Sequence, residues 1–432
     1  MDFVEASEAA HSVVQLIPGG SERYGRALTL DLGAYGVRLV HQDGGYYVPL
    51  QTASDFLFAM MGRPLRFNGA ALFLGEAEKG SALYDAFYSV PTGQRSLALA
   101  VFNWKELCLA LDHLYGLKEE HGIRSFVEEI HMIDGLYNAI LSTDPAAADE
   151  ALWRLTYGDL DDIHTGFLAP SYLEGPETAW EKSYGDSALL HLSHMDRILA
   201  ARTAAYPDGV PGYEEVGDVA FITLRIFDHD WDRDYYADPP TEPDPNDTYA
   251  LMLYSFAQIT RESSPVKHVV LDLSYNGGGA SHDAALTIAM FLGEGSLSVR
   301  SALTGAQVTQ KFRADMNLDG VFDERDELKG VDLFCMTSPI SFSSGNLVPS
   351  ALKSSGRVAI LGQTSGGGTC AVLPLSAADG AAYQISGPYR VSFLKNGSFY
   401  NIDQGVTPDI YIHDFATFYD RAAIADIIHG LK

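Results

Sequence analysis

The sequence predicts an α/β protein, and two observations carry the prediction. From Asp218 onward, strand-like and helix-like segments alternate, and two buried strands run straight into Gly- or Ser-rich junctions that open helices. Such succession implies parallel pairing with right-handed crossovers, and ligands in these folds sit where strand C-termini meet helix N-termini. An apolar content of 47% with 11% aromatics supplies the core and excludes a disordered acidic chain.

The elements follow in order. Residues 1–100 mix strand-like alternation (34–40, 45–50) with a short helical piece (54–61) between turns such as Asp43-Gly44-Gly45, and read as an α+β module. Residues 101–205 turn helical, with Leu107, Leu111 and Leu114 on one face and Ile130, Ile133, Leu136 and Ile140 on another. The third region, 206–432, alternates: strand 219–226, helix 248–260, strand 268–273, helix 281–292, strand 331–336, helix 345–354, strand 358–361. Loop 228–247 carries eight acids, one Arg and four prolines, and reads as a solvated excursion.

With 29 Lys+Arg against 57 Asp+Glu, the formal charge is −28. A field of that sign repels polyanions, so a nucleic-acid partner is excluded. No apolar run approaches the roughly 18 residues of a membrane span, so no membrane insertion is expected. Residues 1–7 show no basic region followed by an apolar stretch, so no signal peptide is visible, although removal of a leader keeps export open. Cys108, Cys335 and Cys370 have no close pairing and read as buried small hydrophobes.

Chemistry concentrates at the two junctions. In Val270-Leu271-Asp272-Leu273-Ser274-Tyr275-Asn276-Gly277-Gly278-Gly279, glycines allow close approach of backbone N–H groups to a ligand, or form a tight turn with no ligand. In Met336-Thr337-Ser338-Pro339-Ile340-Ser341-Phe342-Ser343-Ser344-Gly345-Asn346, Pro349 is best tolerated in a first helical turn, so the helix should begin right after Ser343 or Ser344. A serine there is either an N-cap or a hydroxyl beside free N–H groups able to hold an oxyanion. His164, in Asp161-Asp162-Ile163-His164-Thr165, is a candidate base, and Asp403 is a candidate orienting carboxylate or a turn residue. His191 and His194 lie on a helical pattern and read as structural or exposed.

These residues resemble the C-terminal processing peptidases and their tricorn-like relatives, serine peptidases of the ClpP/crotonase-like fold. The family's D-L-R-x-N-x-G-G is similar to 272–279, and its T-x-S-A-x-E segment resembles 341–346. Its G-R-A-x-x-x-G-x-x-T-x-G is similar to 356–366, its D-x-H-T to 162–165 and its G-V-x-P-D to 405–409. The resemblance implies a ββα-type catalytic domain acting on a peptide or protein substrate. Ser343 would be nucleophile, His164 base, Asp403 supporting carboxylate, and the N–H groups of Gly278 and Ser344, with Gly277 as a further candidate, would form the oxyanion hole. Gly366-Gly367-Gly368 stand where one branch places a catalytic lysine, which points to the tricorn-like branch. Asp403 replaces a glutamate one residue off its usual spacing, Ile163 stands for a serine, and Asn346 for a glutamate. There is no room for a PDZ domain between Gly166 and Gly217. A catalytically silent peptide-binding or scaffold protein on the same fold is the alternative, and an enoyl-CoA-type enzyme would leave His164 unexplained.

A second pattern is independent. Asp315, Asn317, Asp319, Asp323 and Asp326 fall at positions 1, 3, 5, 9 and 12 of a D-x-[DN]-x-[DN]-G loop, with Gly320 at the sharp turn and the Val321 carbonyl as a further ligand. The set predicts a structural Ca²⁺, against a solvated acidic turn. Aspartate at position 12 resembles the shorter dockerin-type loop. Because Ca²⁺ is abundant outside cells, the location expected is extracytoplasmic, in the cell envelope or secreted, if a leader was removed, and cytoplasmic otherwise. Sequence leaves the oligomeric state open.

Overall fold

The structure, a computed structural model of the chain, describes residues 12–75, 79–178 and 180–431. Its centre is a six-stranded sheet in the order Ile410–Tyr411, Val358–Gly362, Asp332–Thr337, His268–Asp272, Val219–Thr223, Tyr213–Val216. All pairs are parallel except the last, a hairpin. The strands alternate between two cores, as a period of two requires. Ala220, Ile222, Val269, Leu271, Leu333 and Cys335 face the helices Thr248–Thr260, Ser281–Leu292 and Ser344–Ser354. Val219, Phe221, Val270, Phe334 and Met336 pack instead with Ile198, Phe418 and Ile424, from helices on the other side. The fold is α/β, and burial of both faces explains why these strands read as continuous apolar runs.

A second sheet is antiparallel: Val14–Arg23, Gln307–Ala314, Glu294–Ser301, Ala382–Ser392 and Cys370–Ser376 in order, with Gly166–Ala169 also pairing to Ala382–Ser392. Its edge strand comes from the first hundred residues, with Val14 opposite Ala314. The middle helices share one core with this sheet: Leu107, Leu111, Phe126 and Trp153 cluster with Leu373, Leu375, Tyr383 and Ile385. The three cysteines are free and buried. No helix among the described residues is long and apolar enough to cross a membrane.

Several local expectations change. Strand 34–40 is replaced by the turn Leu32–Tyr35 and the hairpin strands Val40–Gln42 and Gly45–Tyr47. The 130–140 pattern is split into Phe126–Met132 and Leu136–Ile140 by Gly135 at φ 74°. The strand expected over 219–226 ends at Thr223. The helix does begin right after Ser343, as expected, but Pro349 lies in its second turn rather than its first.

Candidate active site

Parallel register places the junctions side by side. Met336 is opposite Asp272, so both chains leave the sheet at the same edge. Asn276 fastens the first junction: its Nδ2 donates to the Leu224 carbonyl at 3.2 Å, and its Oδ1 accepts the Gly278 N–H at 2.9 Å. Gly278 has φ +117°, and a Cβ there would stand 2.7 Å from the Ser343 Cβ. Only glycine allows the two junctions this approach.

Four serines line the second junction, and the hydroxyls of three donate to backbone carbonyls. Ser338 bonds Ser274 at 2.6 Å, Ser341 bonds Leu273 at 2.7 Å, and Ser344 bonds Gly279 at 2.7 Å. Ser343 differs in two ways. Among the described residues its hydroxyl has no hydrogen-bond partner, and its backbone is held at φ 56°, ψ −122°, a region an L-residue enters only at a cost of order 1–3 kcal/mol. It precedes an 11-residue helix yet makes no side-chain cap bond, so the N-cap reading does not describe it. The Ser343 N–H donates to the Gly367 carbonyl at 2.9 Å, while among the described residues the Ser344 N–H has no backbone partner.

His164 arrives from the other sheet. Its N–H donates to Asp162 Oδ1 at 3.2 Å, its carbonyl accepts Gln384 Nε2 at 2.9 Å, and the Thr165 hydroxyl donates to Asp162 Oδ2 at 2.6 Å. The ring is buried against Phe342, with centroids 4.5 Å apart, so it stands beside the residue that precedes Ser343. Burial holds the imidazole below its ordinary pKa, while Asp162 and Asp403 pull the other way. Its Nδ1 is buried without a partner, and neither Ser343 nor Asp403 hydrogen-bonds to it. Asp403 Oδ1 instead accepts the Thr369 N–H at 3.1 Å. Gly367, at φ +83°, leaves no room for a Cβ against the Asp403 carbonyl, which is why this ground holds glycine.

The structure thus gathers Ser343, Ser344, Gly278 and His164, with Asp403 close enough to act on the His164 charge. Gly278 already spends its N–H on Asn276, and Gly277 is exposed. Three contributors escaped the sequence reading. Asn276 shapes the glycine turn, Phe342 packs on the His164 ring, and His191, read as structural or exposed, has its ring 6.3 Å from Phe342. Asn346 ties the helix Ser344–Ser354 to the Ile402 carbonyl at 2.8 Å, next to Asp403. An Asn preceding three glycines was the signal available for the first.

The acidic loop forms the turns of a cation loop. Asp315, fully buried, accepts the N–H groups of Asp319 at 3.2 Å and Gly320 at 2.7 Å and the Tyr236 hydroxyl at 2.9 Å. Asn317 accepts from Asp319, Asp319 from Val321, and Asp326 from Met316 and Asp323. The oxygen-rich donor set suits a hard cation. A guanidinium is already there: Arg325 lies 2.6 Å from Asp319 and 2.8 Å from Asp323. Among the described residues, no three of the loop's carboxylates converge as the His/Asp clusters elsewhere do.

Residues 240–412 match the model of Peptidase family S41, a span holding Ser343, Gly278, Ser344 and Asp403 but not His164. No curated protein matches. Among solved structures, mature CPAF is 12% identical over 77% of this chain and 98% of its own, with a TM-score of 0.50. A putative peptidase from Parabacteroides merdae is 14% identical over 69% of this chain and 88% of its own, TM-score 0.46. The photosystem II D1 C-terminal processing protease is 19% identical over 46% of this chain, TM-score 0.33, and this chain covers 42% of its length. At these identities the likeness is one of fold.

Proposed function

We propose that the chain, whose residues 240–412 match the model of Peptidase family S41, hydrolyses peptide bonds as a serine peptidase with Ser343 as nucleophile. The observation that carries the reading is the Ser343 backbone at φ 56° with the one unpartnered hydroxyl on its junction. Ser343 Oγ attacks the peptide carbonyl carbon while His164 takes its proton, and His164 then protonates the leaving amine. The oxyanion meets the free Ser344 N–H and the Gly278 N–H, which it must share with Asn276. Asp403, together with Asp162, supports the imidazolium by its charge. Water returns the acyl-enzyme to free Ser343.

The missing hydrogen bonds at His164 favour one rival, a silent peptide-binding protein, although such bonds are often long before substrate arrives. Labelling by a fluorophosphonate separates the two. The wild type should label, and Ser343→Ala and His164→Ala should not. Absence of labelling in the wild type, or labelling indifferent to both changes, leaves the scaffold.

Because burial lowers the His164 pKa, the base stays neutral at pH values where an ordinary histidine, near 6.5, is half protonated. The acid limb of kcat/KM is therefore expected below pH 6.5, and a midpoint at or above 6.5 would assign it elsewhere. The same depression makes the unfolded chain bind the proton first, so this residue's contribution to stability rises with pH across that window.

Ca²⁺ at Asp315, Asn317, Asp319, Val321, Asp323 and Asp326 is proposed as a structural ion, with the extracytoplasmic location that goes with it. Binding requires Arg325 to leave Asp319. Millimolar Ca²⁺ should raise Tm, and Arg325→Ala should tighten binding in calorimetry. An unchanged Tm with no binding heat in either protein would remove the ion.

A further inference from the structure

Outside the active site, three side chains meet at the start of the helix Ser281–Leu292. Asp283 is fully buried, and among the described residues its ion-pairing partners are two histidines, with no lysine or arginine. His229 Nδ1 lies 2.9 Å from Asp283 Oδ1, and His282 Nε2 lies 3.1 Å from Asp283 Oδ2. The second contact is not a hydrogen bond: both atoms are buried and neither has a hydrogen-bond partner. His282 itself is only 8% exposed. A fully buried carboxylate oxygen facing an imidazole nitrogen with no aligned proton between them is costly unless a cation joins them.

We propose that His229, His282 and Asp283 bind a divalent transition ion of the Zn²⁺ type. Each offers one ligand atom, and these atoms lie within 4.8 Å of one another. Two imidazoles and one carboxylate match Zn²⁺, whereas Ca²⁺ and Mg²⁺ favour all-oxygen sets. Rings already hold the ligands in place: Tyr249 stacks on His229 at 4.2 Å, and Trp231 crosses His282 at 4.5 Å. Trp231 is 59% exposed, so the site lies near solvent, from which water completes the coordination.

The position gives the ion a structural task. His229 opens the acidic loop two residues after Phe227, whose N–H donates to the Gly278 carbonyl at 2.9 Å and whose carbonyl accepts the Ala280 N–H at 2.8 Å. An ion here clamps that loop to the helix that follows the glycine junction. The binding claim stands whether or not the chain hydrolyses peptides.

The test uses the full chain stripped of metal and titrated with Zn²⁺ in a calorimeter. One tight ion is expected in the wild type, with affinity falling at least about 100-fold, more than loss of a residue that only touches a ligand would cause, in His229→Ala and His282→Ala. His429→Ala serves as control, because Asp218, His268 and His429 form a separate cluster, and it should keep the tight ion. No tight ion in the wild type, undiminished affinity in His229→Ala, or loss in His429→Ala instead would overturn the assignment. Should the His229 and His282 variants misfold, Co²⁺ decides in the His429→Ala chain, which lacks the other cluster. Intense visible bands of four- or five-coordinate cobalt with Trp231 quenching are expected, and the spectrum of hydrated Co²⁺ would refute the site.

Discussion

Ser343→Ala is expected to lower kcat for peptide hydrolysis by about 10⁴-fold or more while leaving KM nearly unchanged. The reasoning rests on what the alternatives are doing. Ser338, Ser341 and Ser344 hold the junction together through their hydroxyls, so none can replace Ser343 without opening the turn. Ser343 carries no such duty, and its alanine variant should fold as the wild type does. Rates on one chromogenic peptide, with circular dichroism as the folding control, are sufficient. A loss below about tenfold would mean that the chemistry lies elsewhere.

The largest expected effect on stability is at Arg421. Its guanidinium is 3% exposed and bonds Asp272 at 2.9 Å, Glu214 at 2.9 Å, Thr223 at 2.8 Å and the Phe418 carbonyl at 3.1 Å. Asp272 is itself 1% exposed and closes the strand that leads to the glycine junction. Arg421→Met strands that carboxylate in the core at a cost of about 3–5 kcal/mol. Urea unfolding measures it, and adding Asp272→Asn to the variant should recover part of the loss. A change under about 1 kcal/mol would show that Asp272 finds another partner.

Much of the central sheet was legible because its strands are buried on both faces. His268–Asp272 and Val358–Gly362 are short apolar runs bounded by turn residues, and the helices Thr248–Thr260 and Ser281–Leu292 lie where periodicity put them. The antiparallel sheet was not legible. Val14–Arg23 contains Pro18-Gly19-Gly20 and finds its partner nearly three hundred residues away, at Gln307–Ala314, so nothing local marks it as a strand. Ser343 could be found as a junction serine, but the choice over Ser344 needed the resemblance, since both look alike as caps. The structure separates them by where each hydroxyl goes. Asn276 and Phe342 act through the neighbours they hold, and such roles leave no mark in spacing. Pro349 led to the right helix start, Ser344, although it lies in the second turn and not in the first.

The central claim is that one hydroxyl, that of Ser343, is the nucleophile. Mass spectrometry of the fluorophosphonate-treated wild-type chain tests it most directly. The adduct is expected on Ser343 alone, at one per chain. An adduct on Ser344 or on any other residue, or none under conditions where the chain is folded, would contradict the account.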